Sequence, residues 1–151
     1  MAATATPVKL SGNLAVNIFS STADMTTITD ITFPDITAGS NLWLDMRDFE
    51  TVMFIVVAKL LTDDIEQVII LGNSANDGSG TDYTVLDSGT LSGYDAVGDY
   101  HVMEATAEQL NGNRYCTVQV LGGNASDDFT IIAIRGGARF PRSGLTALYQ
   151  S

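Results

Sequence analysis

The chain holds one histidine, His101, and one cysteine, Cys116. They are the residues best suited to chemistry. Together they cannot complete a conventional four-ligand zinc site, and Cys116 has no partner for an internal disulfide. A general base or a metal ligand needs partners within reach, yet in Tyr100-His-Val-Met-Glu104 no second histidine and no cysteine stands at metal-ligand spacing. Strand alternation would set His101 on one face with Met103 and Ala105, so a structural or surface role is expected. Cys116 alternates with Val118 and Val120 and reads as a small hydrophobe on an inward face. A reactive thiolate would require a nearby cation, and Arg114 shares that face by parity.

Carboxylates are plentiful, 18 Asp and Glu in all, so chance pairs are certain. A glycosidase pair is defined by separation in space, which no spacing along the chain supplies. The loop Asn73-Ser-Ala-Asn-Asp-Gly-Ser-Gly-Thr-Asp82 has the oxygens and glycines of a calcium loop but no glutamate at the bidentate position of an EF-hand. A plain solvated loop is the expectation there, and also at Ser126-Asp127-Asp128 and Thr62-Asp63-Asp64. No Gly-x-Ser-x-Gly elbow, phosphate loop or dinucleotide fingerprint occurs, and Gly78-Ser79-Gly80 lacks the required flanks. Asn124-Ala-Ser126 matches a glycosylation acceptor without a secretory signal to support it. Enzymatic activity, a bound metal and a cofactor are therefore not expected.

The 151 residues carry 7 Lys and Arg against 18 acids, 7 − 18 = −11, a charge that repels a phosphate polyanion. That charge argues against non-specific nucleic-acid binding, and no direct nucleic-acid partner is expected. Hydrophobic residues make up 45% and charged residues 17%, which supplies a core and excludes global disorder. No apolar run reaches the ~18–20 residues of a membrane span. The opening Met1-Ala-Ala-Thr-Ala-Thr-Pro7 lacks a signal's charged and apolar regions, so synthesis inside the cell is expected.

The elements that must position these residues are strands. Residues 51–60 alternate Val52, Phe54, Val56, Ala58 and Leu60 against Met53, Ile55 and Val57, which predicts a central strand buried on both sides. Further strands are predicted over 42–44, 67–71, 83–86, 100–105, 114–121 and 129–135, bounded by Gly, Asn and Asp clusters. Leu14, Val16 and Ile18 add one more at strand period, for about eight. Only Thr106-Ala-Glu-Gln-Leu110 suits a helix, as a single turn closed by Asn111-Gly112. Short strands without crossover helices call for antiparallel pairing, so the expected fold is an all-β antiparallel sandwich, jelly-roll-like. Residues 1–40 are expected to form an N-terminal arm with edge strands, 41–137 the sandwich, and 138–151 a C-terminal docking tail.

After Asp128 no acid follows, while Arg135, Arg139 and Arg142 gather beside Phe140, Leu145, Leu148 and Tyr149. A basic patch on an acidic chain suits contact with another copy or with a partner, and these seven residues are the candidate interface. The competing reading has the arginines pair with acids of their own domain. Trp43 in Asn41-Leu-Trp-Leu-Asp45 is an anchor of the core or of an interface.

The Thr- and Ala-rich arm and the segments 98–120 and 127–140 resemble small structural proteins of tailed-phage virions, head decoration or cement proteins above all. The resemblance implies a non-enzymatic virion protein on the capsid exterior, made in the host cytoplasm. Its partners would be the major capsid protein and itself, as a homotrimer, with neither nucleic acid nor membrane. Tail-tube, baseplate and head-tail joining proteins fit the same likeness. A carbohydrate-binding jelly roll is the competing class, with Trp43, Tyr83, Tyr94, Tyr100, Tyr115 and Tyr149 as its available rings.

Overall fold

The computed structural model describes residues 14–20, 29–30, 33–35, 40–60, 65–94, 96–122 and 127–137. Its elements are β1 (Ala15–Ser20), β2 (Thr29–Asp30), β3 (Phe33–Asp35), β4 (Ser40–Leu42), β5 (Leu44–Asp45), β6 (Thr51–Leu60), β7 (Ile65–Asn73), β8 (Tyr83–Asp87), β9 (Tyr100–Thr106), β10 (Tyr115–Gly122) and β11 (Asp128–Gly136). The fold is all-β. Two antiparallel sheets face one another, ordered β1-β11-β6-β9 and β2-β10-β7-β8, with β5 beside β10 and a separate β3-β4 ribbon.

The β-branched run of β6 and the alternation in β11 build the first sheet's inner face. Val52, Phe54 and Val56 are fully buried there beside Phe129, Ile131 and Ala133. The second sheet answers with Val68 and Ile70 of β7 and Cys116, Val118 and Val120 of β10. Burial of these apolar faces against each other is the main stabilising term, about 1.5–3 kcal/mol for each large side chain. One turn of 3-10 helix, Glu108–Leu110, drives Leu110 into the core and ends on Asn111 in the left-handed region. Thr106 and Gln109 brace that turn reciprocally, each backbone N–H donating to the other's side-chain oxygen.

The pairs are nested: β1 lies with β11, β2 with β10, β6 with β9, and β7 with β8. Every link between successive strands of these eight crosses from one sheet to the other, except β7 to β8. β1 and β2 each lie at the edge of a sheet.

Two sequence expectations are corrected. Strand β6 is central in its sheet, but only one side is buried, and Met53, Ile55 and Val57 are half-exposed because a two-layer sandwich covers one face of each sheet. The single strand expected over 42–44 is divided between β4 and β5, which belong to different sheets. Trp43 makes the break: its N–H donates to Asn76 O at 2.8 Å, and its side chain is only 3% exposed, as a core anchor rather than an interface anchor.

Gly78 permits that arrangement. Its φ is +73°, and a Cβ there would sit 2.9 Å from Trp43 Nε1. Gly78→Ala should therefore destabilise the protein by more than about 1 kcal/mol. Urea unfolding followed by the fluorescence of Trp43, the chain's single tryptophan, measures the loss, and a red-shifted native spectrum should accompany it.

Candidate functional site

Cys116 is fully buried, and burial pushes its thiol up to about 12, far from a thiolate at neutral pH. Arg114, expected on its face, is turned away, because β10 begins at Tyr115 and strand parity does not reach residue 114. Its guanidinium instead grips Asp45 in a two-point pair, Nε to Oδ1 at 3.0 Å and Nη2 to Oδ2 at 2.6 Å, and lies 4.9 Å from the Tyr115 ring centre. Burial works to raise the Asp45 carboxyl, but the bonds from Arg114 and from the Arg47 N–H outweigh it and hold Asp45 below its ordinary value.

His101 meets Tyr94 edge-on, Nδ1 to the hydroxyl at 3.2 Å, and burial holds its pKa below the ordinary 6.5. In the Asn73–Asp82 loop the oxygens serve the loop itself. Asn73 accepts the Ala75 N–H and donates to Asp82, while Asp77 accepts the Ser79 N–H. A Cβ on Gly80 would collide with Asn73 Oδ1. Among the described residues no group of three or more His, Cys, Asp and Glu could hold a metal ion, and no helix is long and apolar enough to cross a membrane. A shallow groove lined by Glu50, Thr51, Thr106, Ala107 and Glu108 contains carboxylates but neither nucleophilic Cys nor His.

Arg135 heads the segment expected at an interface, yet its side chain projects from the inner face of β11, opposite Ala15 and Val52. Nη1 donates to Asp45 O at 2.6 Å, Nη2 donates to Asn17 Oδ1 at 3.1 Å, and the guanidinium carbon lies 4.8 Å from the Phe49 ring centre. The half-buried side chain thus ties β11 to β1 and, across the sandwich, to β5. Its partners include a carbonyl, an amide and a ring of its own domain. Arg139, Phe140, Arg142, Leu145, Leu148 and Tyr149 lie outside the described residues.

Among the described residues the tryptophan and tyrosine rings do not assemble into one stacking platform. Trp43 is buried, Tyr94 packs on the core, Tyr83 and Tyr115 belong to the second sheet, Tyr100 stands on the outside of the first, and Tyr149 lies outside the described residues.

What the strands do assemble is an apolar outer face on the first sheet. Register aligns Ile18, Ile132, Ile55 and Val102 in one row across β1, β11, β6 and β9, with Val16, Ile134 and Met53 beside it on one side and Thr130, Val57 and Tyr100 on the other. Ile18 is 58% exposed, Tyr100 62% and Val102 43%. Glu104 marks one corner, and Lys59 and Asp128, 4.0 Å apart, close the far end. The outer side of the second sheet mixes Gln67, Gln119 and Thr84 with Ile69 and Leu121, Gln67 is bonded to Asp87, and Leu71 and Thr117 on that side are buried. The signal for this face was present as the second alternation in β6. Taken alone it also fits a strand buried on both sides.

The fold and this surface define an all-β sandwich module whose most distinctive exposed feature is an apolar sheet face. No family model matches the chain, and no curated protein matches it. A solved chain from Bacillus endospore appendages, described as a novel family of disulfide-linked pili, is similar to 89% of this chain over 99% of its own length, with 16% identity and a TM-score of 0.37.

Two variants test these assignments. Arg135→Met should cost roughly 2–4 kcal/mol in urea unfolding, because it removes two charge-assisted hydrogen bonds and leaves their acceptors inside the sandwich. His101, held neutral by burial, takes up its proton later in the folded chain than in the unfolded one. Its contribution is present above pH ~6.5 and is lost as pH falls below that value toward the depressed folded pKa. His101→Gln should flatten the fall in melting temperature over that interval.

Proposed function

We propose that this chain is a non-enzymatic structural subunit of a tailed-phage virion, of the head decoration kind, that acts through symmetric self-association and contacts with the capsid lattice. The apolar outer face of the β1-β11-β6-β9 sheet carries the association half of this reading. A soluble protein has no use for a continuous row of Ile18, Ile132, Ile55 and Val102 on its surface unless another protein covers it. The virion half rests on the likeness of segments 98–120 and 127–140 to such proteins.

The nested pairs β1 with β11, β2 with β10, β6 with β9 and β7 with β8 fit jelly-roll winding, a fold common in capsid components. On a lattice the resemblance implies trimers, and a three-fold contact, being heterologous, uses surfaces other than a face that pairs with itself. The lattice contacts are assigned to the terminal segments, with Arg139 and Arg142 among them.

Virions purified on a density gradient from a culture carrying the gene should contain this chain in stoichiometric proportion to the major capsid protein. Its absence from intact particles would overturn the proposal. Replacing Arg139 and Arg142 together with Glu should lower the amount that co-sediments with those particles while leaving the melting temperature within a few degrees of the parent, as expected of charges that meet the lattice rather than their own domain.

A further inference from the structure

We propose that the outer face of the β1-β11-β6-β9 sheet binds a second copy of this chain about a two-fold axis running along the strands, between β11 and β6. The inference rests on the structural-subunit reading and names the partner of that surface.

Size favours a protein partner. Four strands at ~4.8 Å and three rows at ~6.8 Å give a footprint of about 400 Å². That is the dry centre of a standard interface, which covers about 800 Å² on each partner with a polar rim. A small ligand would leave most of it wet. Two facing sheets of similar twist also pack with their strands within about 30° of each other, which an axis along the strands produces.

Charge placement singles out the second copy. The proposed axis lays β11 on the partner's β6 and β1 on the partner's β9. Ile132 then meets the partner's Ile55, Ile134 meets the partner's Met53, and Ile18 meets the partner's Val102, all at matching rows. Lys59 meets the partner's Asp128, so each copy's Lys59–Asp128 pair joins that of the other. Glu104, on the edge strand, faces the partner's Val16 and keeps its carboxylate at the wet rim. No charge on the face meets its own sign. Each copy carries a net charge of −11, so long-range repulsion opposes the contact and screening should strengthen it.

The register supplies a specific test. Within one chain Ile18 and Val102 stand on opposite edges of the sheet, separated by β11 and β6, but across the axis they touch. Sedimentation equilibrium of the full chain at micromolar concentration should give a dimer that tightens as salt is raised. Ile18→Lys and Val102→Glu should each weaken it about tenfold or more. Both positions are solvent-exposed, so each variant should keep the parent's circular dichroism. Combining them in one chain places each new lysine against the partner's new glutamate and should restore dimerisation. A parent that is monomeric or trimeric, single variants that dimerise normally, or a double variant no better than the singles would overturn the two-fold contact. A monomer found stoichiometrically in purified virions would remove this proposal and leave the structural-subunit reading standing; a dimer missing from virions would do the reverse.

Discussion

Strand β11 is the constraint on which the first sheet depends. It is the last described strand in the chain, yet it lies inside the sheet, between β1 and β6, in register with both. Without it β1 has no backbone partner there, and β6 loses one of its two neighbours. Strand β10 plays the corresponding part in the second sheet, where β2, β5 and β7 all pair with it. A fold whose early strands wait for its late ones is dominated by contacts distant in sequence, which places it among slow-folding topologies. Arg135, near the end of β11, adds a polar tie to that central position by reaching the carbonyl of Asp45 across the sandwich.

The same geometry governs the fate of the reactive groups. Cys116 stands on an inner face, where burial outweighs the opposing charge of Arg135 and keeps its thiol protonated. His101 shares its environment with a tyrosine ring rather than with a carboxylate that would raise its basicity. Among the described residues the carboxylates with shifted pKa values, Asp45, Asp77 and Asp87, are held low mainly by hydrogen bonds from neighbouring side chains and N–H groups, against the opposing pull of burial. These are the perturbations of loop and strand-end stitching, not of acids and bases poised against each other.

A sandwich of two sheets has two outer faces, and here they differ. The second sheet sets Gln67, Gln119, Thr84 and Asp87 among its aliphatic residues outside, and Leu71 and Thr117 on that side are covered. The first presents β-branched aliphatic residues on all four strands. Such a face lowers its free energy only by meeting another apolar surface, which is why association, rather than a pocket, carries the functional reading. A flat four-strand face also imposes geometry, because side chains two residues apart and strands ~4.8 Å apart set fixed rows that a partner must match.

Much of the fold was legible in the residues themselves. Period-two alternation in 51–60, 114–121 and 129–135, and turn clusters such as Asp77-Gly78 and Asn111-Gly112, place strands and their ends to within a residue because they act over a few neighbouring residues. The absence of a helical period led directly to antiparallel sheets. Arg135 was legible as a basic residue but not as a tie across the sandwich, since its partners Asn17 and Asp45 lie 118 and 90 residues away along the chain. The break at Trp43 likewise needed Asn76 and Gly78 to be folded against it. Strand alternation determines that a residue faces one side or the other; only the count and order of layers decides whether that side meets a core or solvent. For Met53, Ile55 and Val57 the second layer lies on the opposite side, and their half-exposed apolar face is therefore a property of the tertiary structure alone.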